Sequence, residues 1–540
     1  MSWTVHNRVV IVLISVACAF SLPVLAAEES ESTFQGQDLA TMDLSSLLQL
    51  QITTASMVSE SLLDAPAAMY VLSRDEIQNR GYSTFPEIMK DLPGFDISHI
   101  GGNTELFAYQ RGFRSPFNNR TLILLNGQVL NHLWYHDSQL ASHLPVNSIE
   151  RIEVLYGSAA GAIYGPNAFL GVINIITRSA DSLEVGDYEM NSSVTGGSWK
   201  TRRAEVLGRG RVSEAVSYSI MGRVSRSDGA DVSNRDNLWL HNDFYGSETI
   251  FGPLLGSSPH GYDTGTFSNP EDDRMIMASL KAGEFEVKGY GFSFSGSNGG
   301  QWAGDHCQAV DFFRVQSNAL SLVHESTGDD TFKVTSELSY RHSESNGVWT
   351  DALPSWDEGE EEYSYLSLVD FNTQNEEYGW KQNFLWDLSE SVRVSGGYRY
   401  LRKMLTRAYD IGDGYWGAYN SNGPDDSSAI WYTKPEEDED GNIGYRNSET
   451  GELGQFDAGS PASHRMPPDN LVITEDLGGF VETNFRSGDL KLNLGLRYDI
   501  SSNPQAAPED ANDPDSHRGY MALSPRLGLI YEFTNNGALK

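Results

Sequence analysis

The sequence predicts a small α+β domain followed by an antiparallel transmembrane β-barrel. Three observations predict it. A compact strand–turn–strand unit closes the first third of the chain at residues 145–178. After residue 180 helical periodicity disappears, and runs of roughly ten to sixteen residues alternate polar and apolar side chains. The joins between these runs are alternately tight and long, the long ones at 229–271, 298–311, 347–373, 409–470 and 502–517, as expected when one barrel rim carries turns and the other surface loops.

Before the folded part, residues 9–27 form a long apolar run preceded by Arg8 and interrupted by Pro23, with small residues at its end. Residues 1–27 read as a secretory signal peptide; a retained helical anchor is the alternative. Among the remaining residues Cys307 is the single cysteine, which excludes a disulfide framework and a cysteine-rich metal centre. The chain has 540 residues, 52 of them glycine, a formal net charge of -36 and a mean hydropathy of -0.40. Such acidity argues against nucleic acid as a partner.

Residues 28–61 read as a polar segment that ends in a short β-prone string, Gln51, Ile52, Thr53, Thr54, Ala55 and Ser56. The folded domain spans 62–180. Residues 65–72 read as a strand, and Ser73 with Glu76 has the spacing of a capping box that opens a helix. A second helix over 85–92 is stopped by Pro93 and Gly94. In residues 149–156, Ile152, Val154 and Tyr156 share one face and Arg151 and Glu153 the other, which is a strand with one buried side. Gly157 and the small residues 158–162 allow a tight turn before a further strand at 172–176.

From residue 181 to 540 the barrel pattern holds. In residues 491–498, Leu492, Leu494, Leu496 and Tyr498 form the lipid face while Lys491, Asn493, Gly495 and Arg497 form the lumen face. Backbone groups in lipid must all be bonded, so strands of this kind require a closed barrel. About twelve strands fit between residue 183 and Phe533, with a thirteenth started near the C-terminus.

The wording of residues 149–177 (Ile-Glu-Arg-Ile-Glu-Val, then Tyr164-Gly165, then Gly-Val-Ile-Asn-Ile-Ile-Thr) resembles the closing signature of the plug domain in TonB-dependent outer-membrane receptors. Asp-Ala-Pro-Ala at 64–67, Leu-Pro-Gly-Phe at 92–95, Arg-Gly-Phe at 111–113 and Leu-Ile-Leu-Leu-Asn-Gly at 122–127 follow the family's order. The resemblance runs from about residue 43 to 180. It implies an α+β plug domain inside an antiparallel transmembrane β-barrel in the outer membrane of a Gram-negative bacterium, with a periplasmic N-terminus. Plugged transporters have 22 strands, so a fragment is expected, or else a truncated gene product.

The resemblance further implies a function. Such a receptor binds a scarce, large ligand of the ferric siderophore, haem or cobalamin class and imports it with energy from a TonB-type periplasmic transducer. Gln51 to Ser56 are the candidate TonB box, which would pair through its backbone with that partner; an ordinary linker is the other reading. Arg111, Glu150, Arg151 and Glu153 are the plug groups expected to meet barrel charges, with internal pairing in the plug as the alternative. Three loops would form the ligand-facing apex, carrying His99, Asn103, Phe117, Asn118, His132, Trp134, Tyr135 and His136; packing against the barrel wall, or haem ligation by His132 or His136, are competing roles. Polar contacts should hold the plug, because a domain that must move is poorly served by a large apolar interface.

No enzyme chemistry, cofactor or resident metal is expected, and the receptor is expected to be a monomer surrounded by outer-membrane lipid. The acidic stretches 357–362 and 436–442 read as solvated loop charge, with calcium binding as the alternative. The main rival function is a surface receptor or adhesin that uses the same scaffold without transport. A non-specific porin is disfavoured, since a plug defeats open diffusion.

Overall fold

The computed structural model describes residues 51–52, 60–61, 68–98, 107–113, 120–133, 139–157, 161, 164–165, 167–229, 270–297, 312–326, 331–354, 363–412, 432–437, 443–447, 453–454, 472–502, 520–534 and 537–539. Two short strands come first, β1 (Gln51–Ile52) and β2 (Glu60–Ser61), paired antiparallel. The plug follows. Its strands are β3 (Met69–Ser73), β4 (Phe95–Ser98), β5 (Phe107–Gln110), β6 (Thr121–Leu125), β7 (Gln128–Val129), β8 (Ile149–Tyr156) and β9 (Gly171–Thr177). Five of them form one mixed sheet in the order β3-β8-β9-β6-β7, in which only the β6–β9 pairing is parallel.

The helices form where the sequence places them. Helix α1 (Arg74–Asn79) starts at the Ser73 cap: Glu76 N–H donates to the Ser73 hydroxyl, and the Glu76 carboxylate accepts from the Ser73 N–H at 3.2 Å. Helix α2 (Phe85–Asp91) carries Pro86 in its first turn and buries Phe85, Ile88 and Met89 completely against the sheet. Burial of each such side chain contributes roughly 1.5–3 kcal/mol. Helix α3 (Gln139–Ser142) and a 3₁₀ turn (Val146–Ser148) lead into β8. Strands β8 and β9 approach so closely that a Cβ on Gly171 would lie 2.2 Å from the Leu155 carbonyl oxygen, which only glycine avoids.

The wall consists of β10 (Tyr188–Gly196), β11 (Arg202–Ser213), β12 (Val216–Ser227), β13 (Glu271–Ala282), β14 (Phe285–Ser297), β15 (Phe312–Glu325), β16 (Phe332–Pro354), β17 (Tyr363–Ser389) and β18 (Val392–Gly412). A separate three-stranded sheet of β19 (Tyr432–Glu437), β20 (Ile443–Asn447) and β21 (Leu453–Gly454) intervenes. The wall resumes with β22 (Val472–Ser487), β23 (Leu490–Ser501), β24 (Tyr520–Thr534) and the three residues of β25 (Gly537–Leu539). Every neighbour in this sheet is antiparallel, and all but β18–β22 are consecutive in the chain; the sheet is open between β10 and β25 among the described residues. Twelve full strands and the start of a thirteenth agree with the sequence pattern. No described residue after 200 is helical.

Face alternation also holds. On β23, Leu494, Leu496 and Tyr498 are each more than 40% exposed, whereas Asn493 and Arg497 are 3% exposed on the inner face. The long connections are shorter than the sequence suggested, and here it is corrected. Residues 347–373 read as one loop, but β16 runs on to Pro354 and β17 begins at Tyr363. These strands have 23 and 27 residues, well beyond the 9–11 that cross a bilayer. Their hairpin pairing continues past the membrane because each backbone group still finds a partner. Likewise, Glu436 and Glu437 lie in β19 rather than in a loop.

Candidate functional site

The site is the interface at which the plug meets the inner face of the wall. After β7, Asn131 fixes the chain to β6: its side-chain oxygen accepts from Ile123 N–H at 2.8 Å, and its amide donates to the Thr121 carbonyl at 3.1 Å. This holds His132, which is buried, with its Nε2 in hydrogen-bond contact with the hydroxyls of Ser343 and Ser345 on β16, the latter at 3.1 Å. One turn of register below, Arg341 donates to the Val129 and Asn131 carbonyls at 2.9 and 3.2 Å and pairs with Glu377 of β17 at 2.8 Å. A cavity of about 150 Å³ opens beside this contact, lined by Gln128, His132 and Tyr164 of the plug and Arg341, Lys381 and Arg399 of the wall.

Further contacts repeat the theme. Lys288 donates to the Asn126 carbonyl at 3.0 Å, Arg399 to that of Tyr164 at 3.1 Å and Arg203 to that of Ser83 at 2.9 Å. Gln128 reaches the Ser321 hydroxyl at 2.5 Å. Where the plug leaves for the wall, Arg178 and Arg209 both pair with Glu189 of β10.

A second contact region sits below helix α3. His143 packs its ring on Phe292 and Phe294 of β14, at centroid distances of 5.3 and 4.8 Å. Its Nδ1 lies 3.4 Å from Asp273 of β13, which is fully buried. Arg223 of β12 pairs with the same carboxylate at 3.1 Å, approaches Glu205 at 3.9 Å and donates to the Leu144 carbonyl at 3.4 Å. Met221, Met275, Met277, Phe292 and Phe294 of the wall join the plug core cluster here. The seat, expected to be mainly polar, combines both kinds of contact: charge and backbone contacts surround an apolar patch.

The residues singled out from the sequence are distributed as follows. Gln51 and Ile52 form β1. Arg111 adopts a left-handed backbone (φ 54) and is exposed; its N–H donates to the Gly94 carbonyl at 2.8 Å, and its guanidinium lies near Gly157. Glu150 is exposed, and Arg151 pairs with the buried Glu153 two residues along the same strand at 2.8 Å. Tyr156 donates to the Pro93 carbonyl at 2.9 Å, and burial pushes its phenol up to about 12. His132 reaches the wall. Residues 1–27 and 357–362, together with Thr53, Thr54, Ala55, Ser56, His99, Asn103, Phe117, Asn118, Trp134, Tyr135 and His136, lie outside the described residues. Sequence reading missed His143, Arg178, Gln128 and Asn131 on the plug. On the wall it missed Arg209, Arg223, Asp273 and Arg341, although charged residues on the polar face of a barrel strand were the available signal.

Residues 61–172 match the TonB-dependent receptor plug domain, and residues 242–540, over half of the chain, match the TonB-dependent receptor-like β-barrel. The chain belongs to the TonB-dependent receptor family. Over 134 residues it is 35% identical to the vitamin B12 transporter BtuB of Vibrio vulnificus, a stretch covering 25% of this chain and 21% of that one. Over 194 residues it is 26% identical to an iron-regulated outer membrane virulence protein of Vibrio cholerae, covering 34% and 29%. Among solved structures, the siderophore receptor PiuA of Acinetobacter baumannii superposes with a TM-score of 0.56 at 14% identity, covering 91% of this receptor and 66% of PiuA. P. aeruginosa FpvA gives 0.57 at 12% identity, covering 90% and 57%. These two likenesses show the fold. The chain spans less than two thirds of the length of either structure.

Proposed function

We propose that this receptor binds a scarce large ligand, of the ferric siderophore, haem or cobalamin class, and imports it into the periplasm with energy from a TonB-type transducer. The observation that carries the reading is the plug itself. A folded domain packed against the inner wall bars passive diffusion, so passage requires that it move. Much of its seat consists of hydrogen bonds from wall side chains to plug carbonyls, which water can replace when the contact opens. No step calls for catalysis.

Gln51 to Ser56 are the proposed box, and the two-residue β1 suits a segment that exchanges one strand partner for another. Proline fixes φ and removes an N–H, so Ile52→Pro should abolish uptake while surface binding persists, and Ile52→Val should be nearly silent. Ligand uptake under iron limitation and under cobalamin limitation, measured with the intact receptor, tests both cargo and energy use. Normal uptake by Ile52→Pro would move the box elsewhere or leave a receptor that binds without transport. Arg111, Glu150, Arg151 and Glu153 are proposed to steady the plug; antibiotic exclusion by Arg111→Ala and Arg151→Ala cells tests them. The apex residues His99, Asn103, Phe117, Asn118, Trp134, Tyr135 and His136 are proposed to face the ligand, whereas His132 is held by the wall serines.

A further inference from the structure

Below helix α3 the seat of the plug holds an uneven set of charges. Asp273 of β13 faces the Arg223 guanidinium at 3.1 Å and the His143 imidazole at 3.4 Å. Glu205 of β11 lies 3.9 Å from Arg223 and accepts from the plug's Asn147 amide at 3.3 Å. Arg203 of β11 and Glu271 of β13 act electrostatically on the same set. Strand β14 brings Phe292 and Phe294 against the ring, and α3 itself bears no charged residue. With His143 neutral, two arginines therefore meet three carboxylates. With His143 protonated, three cations meet three carboxylates.

Burial makes that difference matter. Asp273, His143, Arg223 and Glu205 are all buried, so little water reaches the set to make up a missing charge. The surroundings of the ring favour its cationic form. Neither ring nitrogen has a well-aligned hydrogen-bond partner among the described residues, which leaves the Asp273 carboxylate as the group that answers it. The two phenylalanine rings, at 5.3 and 4.8 Å, stand within the distance at which a cation gains from an aromatic ring. When α3 leaves the wall, the imidazole loses both the carboxylate and the rings.

We propose that His143 is a proton-operated latch: it carries a proton while the plug is seated and gives it up when α3 leaves the wall. The latch concerns the seated plug alone and holds whatever the cargo. Closing takes up a proton, so opening is least frequent below about pH 6.5, the ordinary imidazole value, and rises above it by up to about tenfold per pH unit.

The test follows hydrogen–deuterium exchange of residues 139–148 in the full chain, in neutral-detergent micelles, from about pH 6 to about pH 8. Rates are corrected for the intrinsic pH dependence of amide exchange, so that they read opening alone. Wild type should open more often as pH rises. His143→Gln should open equally at every pH, because it cannot hold the proton. Asp273→Asn should also be flat, because two arginines then meet two carboxylates without one. His324→Gln, which removes a β15 histidine 3.2 Å from Glu284, should keep the wild-type slope. The readout is the slope with pH and not the level of opening, so a variant that merely loosens the seat does not imitate the result. If His143→Gln fails to seat its plug, wild type and Asp273→Asn decide between them. Flat opening in wild type, a slope that survives in His143→Gln or Asp273→Asn, or one that vanishes in His324→Gln would overturn the assignment.

Discussion

Asp273 offers the sharpest test of how the plug is seated. Its carboxylate is fully buried on β13 and faces two cation-capable groups, Arg223 at 3.1 Å and the plug's His143 at 3.4 Å. Asp273→Ala leaves the Arg223 guanidinium buried with Glu205 at 3.9 Å, Glu271 nearby and the Leu144 carbonyl at 3.4 Å to answer it. Removal of one partner from a buried pair costs about 3–5 kcal/mol; the surviving Glu205 contact places the expected loss near the lower end, at about 3 kcal/mol. Since 1.4 kcal/mol is a factor of ten, exchange-competent opening of residues 139–148 should become roughly 150-fold more frequent. Hydrogen–deuterium exchange of that peptide in micelles measures this. Asp272→Ala, one residue away on the outer face, should change it by less than about 0.5 kcal/mol. Equal exchange in wild type and Asp273→Ala would refute the idea that this charge cluster ties α3 to the wall.

Four other outcomes are expected. Gly171→Ala should disrupt the β8–β9 pairing, at a cost of roughly 3 kcal/mol for a Cβ driven against the Leu155 carbonyl, seen as loss of protease resistance in the plug. Phe85→Ala should destabilise the plug by about 3–5 kcal/mol, measured by denaturant unfolding, because its ring is completely buried. Ser73→Ala should cost about 1 kcal/mol through the lost α1 cap, in the same assay. The Tyr156 phenol stands near 12 in the folded plug against an ordinary 10.0, so between those values the unfolded chain releases its proton first and stability falls as pH rises. Tyr156→Phe should flatten that alkaline decline in protease resistance.

The plug's elements were legible because each has a local cause: the Ser73–Glu76 box, the Pro93–Gly94 stop and the face alternation from Ile149 to Tyr156. The wall was legible for the same reason, and Asn493 and Arg497 turn inward where period two puts them. The outer parts of β16, β17 and β18 were not, since beyond the membrane neither face is obliged to be apolar and alternation fades. The contact surface was the least legible part. His143 follows a four-residue helix, too short to show periodicity. Arg223, Arg341 and Arg399 stand on a readable polar face, but their plug partners are carbonyls of Leu144, Val129 and Tyr164, and a carbonyl leaves no signature in the residue that bears it.

That choice of partners bears on how such a receptor changes over generations. Wall side chains grasp the plug by the carbonyls of Ser83, Asn126, Val129, Leu144 and Tyr164, which every amino acid supplies alike. The wall reads the path of the plug's chain and is blind to much of its spelling. Substitutions can accumulate on the plug without loosening its seat so long as the path is kept, whereas each grasping arginine or lysine is tied to its position. Drift should therefore run faster on the held surface than on the holding one, and a plug borrowed from a distant relative with the same backbone course should still fit this wall.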